Sequence, residues 1–398
     1  MKINTLCIVD YYLPGYKWGG PIKTIKNMSS ELSDDLNFYI MTRDRDIGDK
    51  KPYDHKYTIQ DFIKTDFGDV YYTKPFHFGP IALIKILFKY RIDIIYLNSF
   101  FSFWASIWIV WIKIFLPKKI ILLAPRGEFS PGALSLKSSK KNLYIKVVKK
   151  LNLYSNIFWH ASSQMESDDI LKIFPESKKN VYIAADSFDI KNIDSNVNCS
   201  KKCNHEVKFN SGRLRLVFIS RISPKKNLSF LLNVLSVMKT PVTLDIYGPV
   251  AKSDFEYWKK CKEEIDSLPS NVEVKYKGEL LPEEVTDKFK DYNFFIFPTL
   301  GENFGHVIFE SIQAGVPVLI SDQTPWLEDD SGAVTVLPLN SINAWVNKLD
   351  YYNALSEAEY NLMQEACHKY SVEYQSQTLV KKENLNMFLE VKKRKANV

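Results

Sequence analysis

The sequence predicts an α/β protein built as two Rossmann-like, doubly wound domains facing a central cleft. Three observations lead there. Apolar runs of strand length alternate with longer helical patterns through most of the 398 residues, the order that builds parallel sheets with right-handed crossovers. A polar stretch without periodicity interrupts this alternation once, and the alternation then restarts. The length also exceeds what one hydrophobic core usually spans.

In the first half, strands are expected near Ile3–Val9, Phe38–Met41, Val70–Tyr72, Ile92–Leu97, Ile120–Leu123, Ile157–His160 and Val181–Ala184. Ser187 to Gly212, rich in Asn, Lys and Ser, reads as a linker. Strands are expected again near Leu214–Ser220, Val242–Tyr247, Val272–Tyr276, Phe294–Phe297, Val316–Ile320 and Val334–Leu337. The expected organisation is an N-terminal domain over 1–187, a linker over 188–212, a C-terminal domain over 213–370, and a helix with a basic tail over 371–398 that crosses back to the N-terminal domain. In parallel sheets of this kind ligands bind at the carboxyl ends of the strands.

Composition narrows the class. Hydrophobic residues at 45% and charged residues at 25% are globular values. A net charge of +7 is too mild to imply a nucleic-acid partner. Five cysteines, an odd number, do not make a disulfide framework and fit a reducing, cytoplasmic compartment. The start, MKINTLCIVDYY, reads as a first strand and not as a signal peptide. Charge is unevenly spread: from Ile94 to Met165 there is one acidic residue, Glu128, against ten basic ones.

The most informative stretch is FPTLGENFGHVIFESIQAGVPVLIS, residues 297–321. A strand ends at Phe297, a glycine-containing loop follows, and a helix begins near Gly305. Glu302 stands in the loop and Glu310 in the helix; eight helical residues would span about 12 Å, roughly the reach from a sugar to a ribose across a pyrophosphate. The amides of Asn303, Phe304 and Gly305 open the helix, where the dipole favours an anion. In FISRISPKKNL, Arg221 and Lys226 stand at a strand-to-helix turn, two cations suited to a diphosphate leaving group; Lys225 reads as solvated. After the first strand, Gly19 and Gly20 precede a helix starting near Ile22, where glycine lets backbone amides approach a ligand. No G-x-G-x-x-G is present.

These elements, with PRGEFSPGALSLKSSKK (125–141), WHASSQME (159–166) and YGP (247–249), resemble glycosyltransferase family 4, retaining enzymes of GT-B fold that use nucleotide-activated sugars. The resemblance covers nearly the whole chain. It implies that Glu302 contacts the donor sugar, Glu310 the nucleotide ribose, Arg221 and Lys226 the pyrophosphate, and that Gly19 and Gly20 border the phosphates from an acceptor-side N-terminal domain. It also implies front-side attack, with the departing phosphate helping to deprotonate the acceptor, and the sequence indeed lacks a glycosidase-like carboxylate pair. Where many relatives carry His in an H-x-x-D-like context, this chain has Pro125-Arg126-Gly127-Glu128. Arg126 and Glu128 are therefore read as polar groups of the cleft, Arg126 toward phosphate and Glu128 toward an acceptor hydroxyl.

Other signals are weaker. Cys199, Cys203 and His205 offer three ligands where structural zinc takes four. Neither metal nor cofactor is expected. His160 reads as a structural histidine and Ser163-x-x-Glu166 as a capping box. Phe100–Leu116 is nearly all apolar, but it lies between two strands and is expected to be a crossover helix. Beyond it, Leu143, Val147 and Leu151 form a stripe flanked by lysines, the composition of a segment lying on anionic lipid.

The expected function is transfer of a sugar from a UDP- or GDP-linked donor to a glycan, and the resemblance to polysaccharide enzymes points to a lipid-linked oligosaccharide of lipopolysaccharide, O-antigen or capsule synthesis. The expected location is the inner face of the cytoplasmic membrane. The alternatives are a GT-B-fold epimerase or hydrolase, which would need carboxylates for acid/base work, and an inactive membrane-bound assembly protein.

Overall fold

A computed structural model describes residues 2–54, 61–74, 80–113, 116, 118–135, 138–188, 212–377 and 379–396. The chain forms two compact units, Met1–Ile190 with Leu379–Val398, and Lys191–Thr378. The linker expected over 188–212 falls, apart from its two end residues, outside the described residues, as do Cys199, Cys203 and His205.

The first unit runs β1 (Ile3–Ile8), α1 (Gly20–Glu31), β2 (Leu36–Arg43), β3 (Ile63–Thr65), β4 (Gly68–Thr73), α2 (Pro80–Lys89), β5 (Ile94–Leu97), α3 (Trp108–Ile112), β6 (Ile120–Leu123), α4 (Pro131–Ser135), α5 (Ser138–Lys150), β7 (Phe158–Ala161), α6 (Gln164–Ile173) and β8 (Val181–Ile183). Its sheet has the order β3-β4-β2-β1-β5-β6-β7-β8 and is parallel except where β3 pairs with β4. The second unit runs β9 (Leu214–Ile219), α7 (Leu228–Ser236), β10 (Val242–Tyr247), α8 (Phe255–Asp266), β11 (Val272–Gly278), α9 (Val285–Phe289), β12 (Phe294–Phe297), α10 (His306–Gln313), β13 (Val318–Ser321), β14 (Val334–Leu337), α11 (Ile342–Asn353) and α12 (Glu357–Gln377). Its six strands, all parallel, take the order β11-β10-β9-β12-β13-β14. A last helix, α13 (Val380–Ala396), belongs to the first unit.

Strands buried on both faces read as continuous apolar runs, and β5, β6, β12 and β13 are buried at every position. In the first unit two clusters cover the two faces of the sheet. One packs Leu83, Ile86, Ile109, Val110 and Val148 from α2, α3 and α5 onto it. The other packs Ile22, Ile25 and Met28 of α1 and Met387, Phe388 and Val391 of α13. Phe388 is fully buried, worth about 2 kcal/mol of transfer energy, and Asn384 donates to the Ala185 carbonyl at 2.9 Å.

Two local expectations are corrected. The short β3 was not foreseen, because its three residues, half-buried or exposed, are too few to form an apolar run. The apolar run Phe100–Leu116 is not one regular helix: a π-wound turn over Phe103–Ile107, opened by Ser102 accepting from the Ala105 amide at 3.1 Å, precedes α3. No helix among the described residues is long and apolar enough to cross a membrane.

Candidate functional site

In a doubly wound sheet the ligand crevice opens where strand order reverses. In the second unit that point lies between β9 and β12, and the loops after these two strands carry Arg221 with Lys226 and Glu302. The first loop leaves β9, makes one tight turn over Pro224–Lys226, and enters α7 through Asn227 in a left-handed conformation. The Asn227 side-chain amide donates to the Pro298 carbonyl at 3.0 Å, and the Leu300 amide and the Thr299 hydroxyl donate to the Lys225 carbonyl at 2.8 and 3.2 Å. The two loops are thus laced into one surface. Gly248, of the YGP motif, abuts them so closely that a Cβ there would lie 1.8 Å from the Ser220 carbonyl oxygen.

Across this lacing Lys226 forms an ion pair with Glu302, each side chain 13% exposed. The Lys226 ammonium also lies 5.2 Å from the centroid of Phe297. Burial, the largest single effect, pushes the Glu302 carboxyl up, yet Lys226, Lys225 and Arg221 together hold it below its ordinary range. Burial and the like charges of Lys225 and Arg221 push the Lys226 ammonium down, against the pull of Glu302. Three cations around one carboxylate leave an excess of positive charge, which suits an incoming dianion such as a diphosphate. Lys225, read from sequence as merely solvated, contributes both field and backbone acceptor.

The loop continues into α10, capped by Gly305 at φ 80°, where a Cβ would lie 2.8 Å from Ile308 Cδ1. Glu302 lies in the loop and not in the helix, so the eight-residue spacing to the half-buried Glu310 is only partly helical and the simple 12 Å rise does not apply. Phe304 is buried, and its carbonyl accepts the indole N–H of Trp326. Trp326 in turn stacks with Phe309 and with Tyr374 of α12. Sequence reading missed Trp326, Thr299 and Asn227; only the glycines and glutamates around them carry a motif.

In the first unit the strand order reverses between β1 and β5. Gly19 caps α1 at φ 71°, with nothing within 4 Å of where its Cβ would stand, and Gly20 is the first helical residue. Arg126, after β6, also adopts a left-handed conformation, φ 56°. All three of its guanidinium nitrogens are engaged: Nη1 pairs with Asp186, Nε donates to Asn98 Oδ1 at 2.6 Å, and Nη2 donates to the Tyr96 hydroxyl. Glu128 accepts from the Ser99 hydroxyl at 2.8 Å and the Phe100 and Phe101 amides at 2.6 and 3.0 Å. Both side chains, expected from the sequence to face phosphate and an acceptor hydroxyl, here hold the loops after β5 and β6. His160 is buried between the Tyr96 hydroxyl at 2.7 Å and the Ala184 carbonyl at 2.8 Å, and burial lowers its pKa to about 4. Ser163 caps α6 by accepting from the Glu166 amide, while the Glu166 carboxylate binds the Ser162 and Gly127 amides. Among the described residues no group of three or more His, Cys, Asp or Glu is placed to hold a metal ion.

Residues 201–353 match the family model "Glycosyl transferases group 1". The matched span lies in the second unit and contains the Lys226–Glu302 pair and Glu310. Over 320 residues, 79% of this chain and 82% of the relative, the protein is 24% identical to an uncharacterized 41.2 kDa protein in the cps region of Klebsiella pneumoniae. HepE of Anabaena, solved with UDP and glucose, aligns over 98% of both chains with a TM-score of 0.65 and 14% identity. WaaG, a glycosyltransferase involved in lipopolysaccharide biosynthesis, aligns over 97% of this chain and 99% of its own, with a TM-score of 0.62 and 14% identity. At such identities the likeness is one of fold, and the fold is GT-B: two Rossmann-like domains, as in these glycosyltransferases.

Proposed function

We propose that the protein is a retaining glycosyltransferase of family 4 type that moves a sugar from a nucleoside-diphosphate donor to a glycan acceptor in envelope polysaccharide synthesis. The observation that carries this reading is the Lys226–Glu302 pair at the switch point of the second unit, surrounded by surplus positive charge. Arg221 and Lys226 receive the diphosphate and stabilise it as it leaves. Glu302 accepts from hydroxyls of the donor sugar, and the N-terminus of α10 at Asn303, Phe304 and Gly305 faces phosphate. Glu310 holds the ribose, and Gly19 and Gly20 border the phosphates. The UDP complex of HepE favours uridine as the base. An epimerase or hydrolase would need a carboxylate available for proton transfer, whereas Glu302 is held ionised by its cations.

The acceptor is proposed to be lipid-linked, with the protein seated on the inner face of the cytoplasmic membrane. Support comes from the outer surface of α2, α3 and α5. Phe88 is 69% exposed, Leu143 64% and Leu151 51%, with Val147 and Trp111 also open to solvent. The stripe of α5 points outward while Tyr144 and Val148 face the core, the reverse of an ordinary crossover helix. Lys140, Lys146, Lys149 and Lys150 are exposed around the stripe.

Two measurements test the reading. Thermal shift with UDP, GDP and their sugars is expected to show one selective nucleotide family, with affinity falling about tenfold in Glu310→Ala as charged hydrogen bonds to the ribose are lost. No shift with any donor would sink the transferase assignment. Flotation with phosphatidylglycerol vesicles is expected to carry the protein upward at low salt; absence of binding there would remove the membrane.

A further inference from the structure

The switch point of the first unit is furnished differently from that of the second, and the difference suggests what it binds. β1 ends beside β5 and delivers Asp10, Tyr11 and Tyr12 in succession. Tyr12 is buried in the core, whereas Tyr11 and, after a loop, Trp18 stay half-buried. Their rings pack together with centroids 5.1 Å apart and planes at 39°. Arg43, at the end of β2, lies with its guanidinium 5.0 Å from the Tyr11 centroid, donates to the Tyr11 hydroxyl at 3.3 Å, and pairs with Asp10 at 2.8 Å.

The loop that brings Trp18 back is held in shape by buried groups. Asp46, 4% exposed, accepts from the Tyr16 and Lys17 amides at 2.8 and 3.1 Å. Gly15 is enclosed: a Cβ there would lie 2.2 Å from the Tyr53 hydroxyl. A loop fixed in this way presents two aromatic rings, a carboxylate and a guanidinium together at the carboxyl end of a central strand. Apolar C–H faces of a pyranose pack on aromatic rings, and its hydroxyls need a charged donor and a charged acceptor beside them.

We propose that Asp10, Tyr11, Trp18 and Arg43 form a subsite for one pyranose ring of the acceptor glycan. The proposal rests on the glycosyltransferase reading above and adds to it the class of group recognised by the first unit. It also separates labour: charge for the diphosphate in one unit, aromatic surface for a neutral ring in the other.

The test is saturation-transfer NMR with the methyl pyranosides of glucose, galactose, mannose and rhamnose at millimolar concentration. At least one is expected to receive saturation at its ring C–H protons. Trp18→Ala is expected to weaken that binding about fivefold, the scale of one aromatic contact. Trp18→Phe keeps a ring and is expected to restore most of the binding, so a folding defect in the alanine variant does not obscure the result. Lys226→Ala is expected to leave the signal intact. Undiminished signal in folded Trp18→Ala, loss in Lys226→Ala alone, or no signal with any pyranoside in the native protein would overturn the subsite. Nucleotide thermal shift, run in parallel, reports on the donor reading separately, since Trp18→Ala is expected to leave it unchanged.

Discussion

Both sheets wind the same way, and near the carboxyl ends of each the chain sets an arginine or lysine against a carboxylate. The two pairs have different surroundings. Lys226 and Glu302 are each 13% exposed and lie among further cations. Arg126 and Asp186 are 7% and 3% exposed, and Asn98 and Tyr96 take the remaining nitrogens of the guanidinium. A cation at a strand's carboxyl end is therefore not by itself a ligand site. What separates the two is whether its hydrogen-bonding capacity is already filled by the protein.

Removing each cation should break the comparison cleanly, and these are the largest effects expected. Lys226→Ala should lower turnover about 100-fold, the usual cost of deleting one transition-state donor. It should change thermal stability little, because the like charges of Lys225 and Arg221 oppose Lys226 in the native state. Arg126→Ala should instead cost about 3–5 kcal/mol of stability, since Asp186 is left buried and uncompensated. Turnover per folded molecule and urea unfolding of both variants decide the matter. Equal stability losses would erase the distinction between the two pairs.

The buried pair extends to Tyr96 and His160, which sharpens the comparison with pH. The folded-state pKa of His160 is near 4, below the ordinary 6.5, with burial the first cause and Arg126 the second. Neutral in both states above pH 6.5, the group costs nothing there. As pH falls from 6.5 to 4 the unfolded chain takes up a proton that the folded one refuses, and stability drops by up to about 3 kcal/mol. Glu128 and Glu166, both raised by burial, act in the opposite direction on acidification. The difference between wild type and His160→Asn isolates the histidine: the variant should lose less stability on acidification. Parallel pH profiles would show that His160 takes its proton in the folded state.

The succession of strands, the two parallel sheets and the residues at the strand ends were legible, because strands buried on both faces leave apolar runs and glycines mark the loops that follow; the order of the strands within each sheet was not. The partnerships were not. Lys226 and Glu302 are 76 residues apart, and Arg126 and Asp186 are 60 apart. Nothing local says that one pair meets at a partly open surface and the other in the core. The outward stripe of α5 was readable as a stripe, but its direction depended on Tyr144 and Val148 filling the core instead. Trp326 carried no motif, since its role depends on a backbone carbonyl.

That carbonyl supports the smallest of these predictions. The Phe304 amide is one of those proposed to face phosphate, and the Phe304 carbonyl accepts the Trp326 indole N–H. Tyr374 stacks on the same indole at 5.0 Å and 29°, which holds it in register. Trp326→Phe keeps an aromatic ring in the stack and removes only the N–H. One buried hydrogen bond is worth about 1 kcal/mol, so UDP affinity by calorimetry should fall about fivefold. Trp326→Leu removes the ring as well and should lower both affinity and melting temperature. If Trp326→Phe binds UDP as the native chain does, the loop between Glu302 and α10 keeps its shape without the indole, and the Gly305 turn, which no residue with a Cβ fits without moving Ile308, is the stronger constraint.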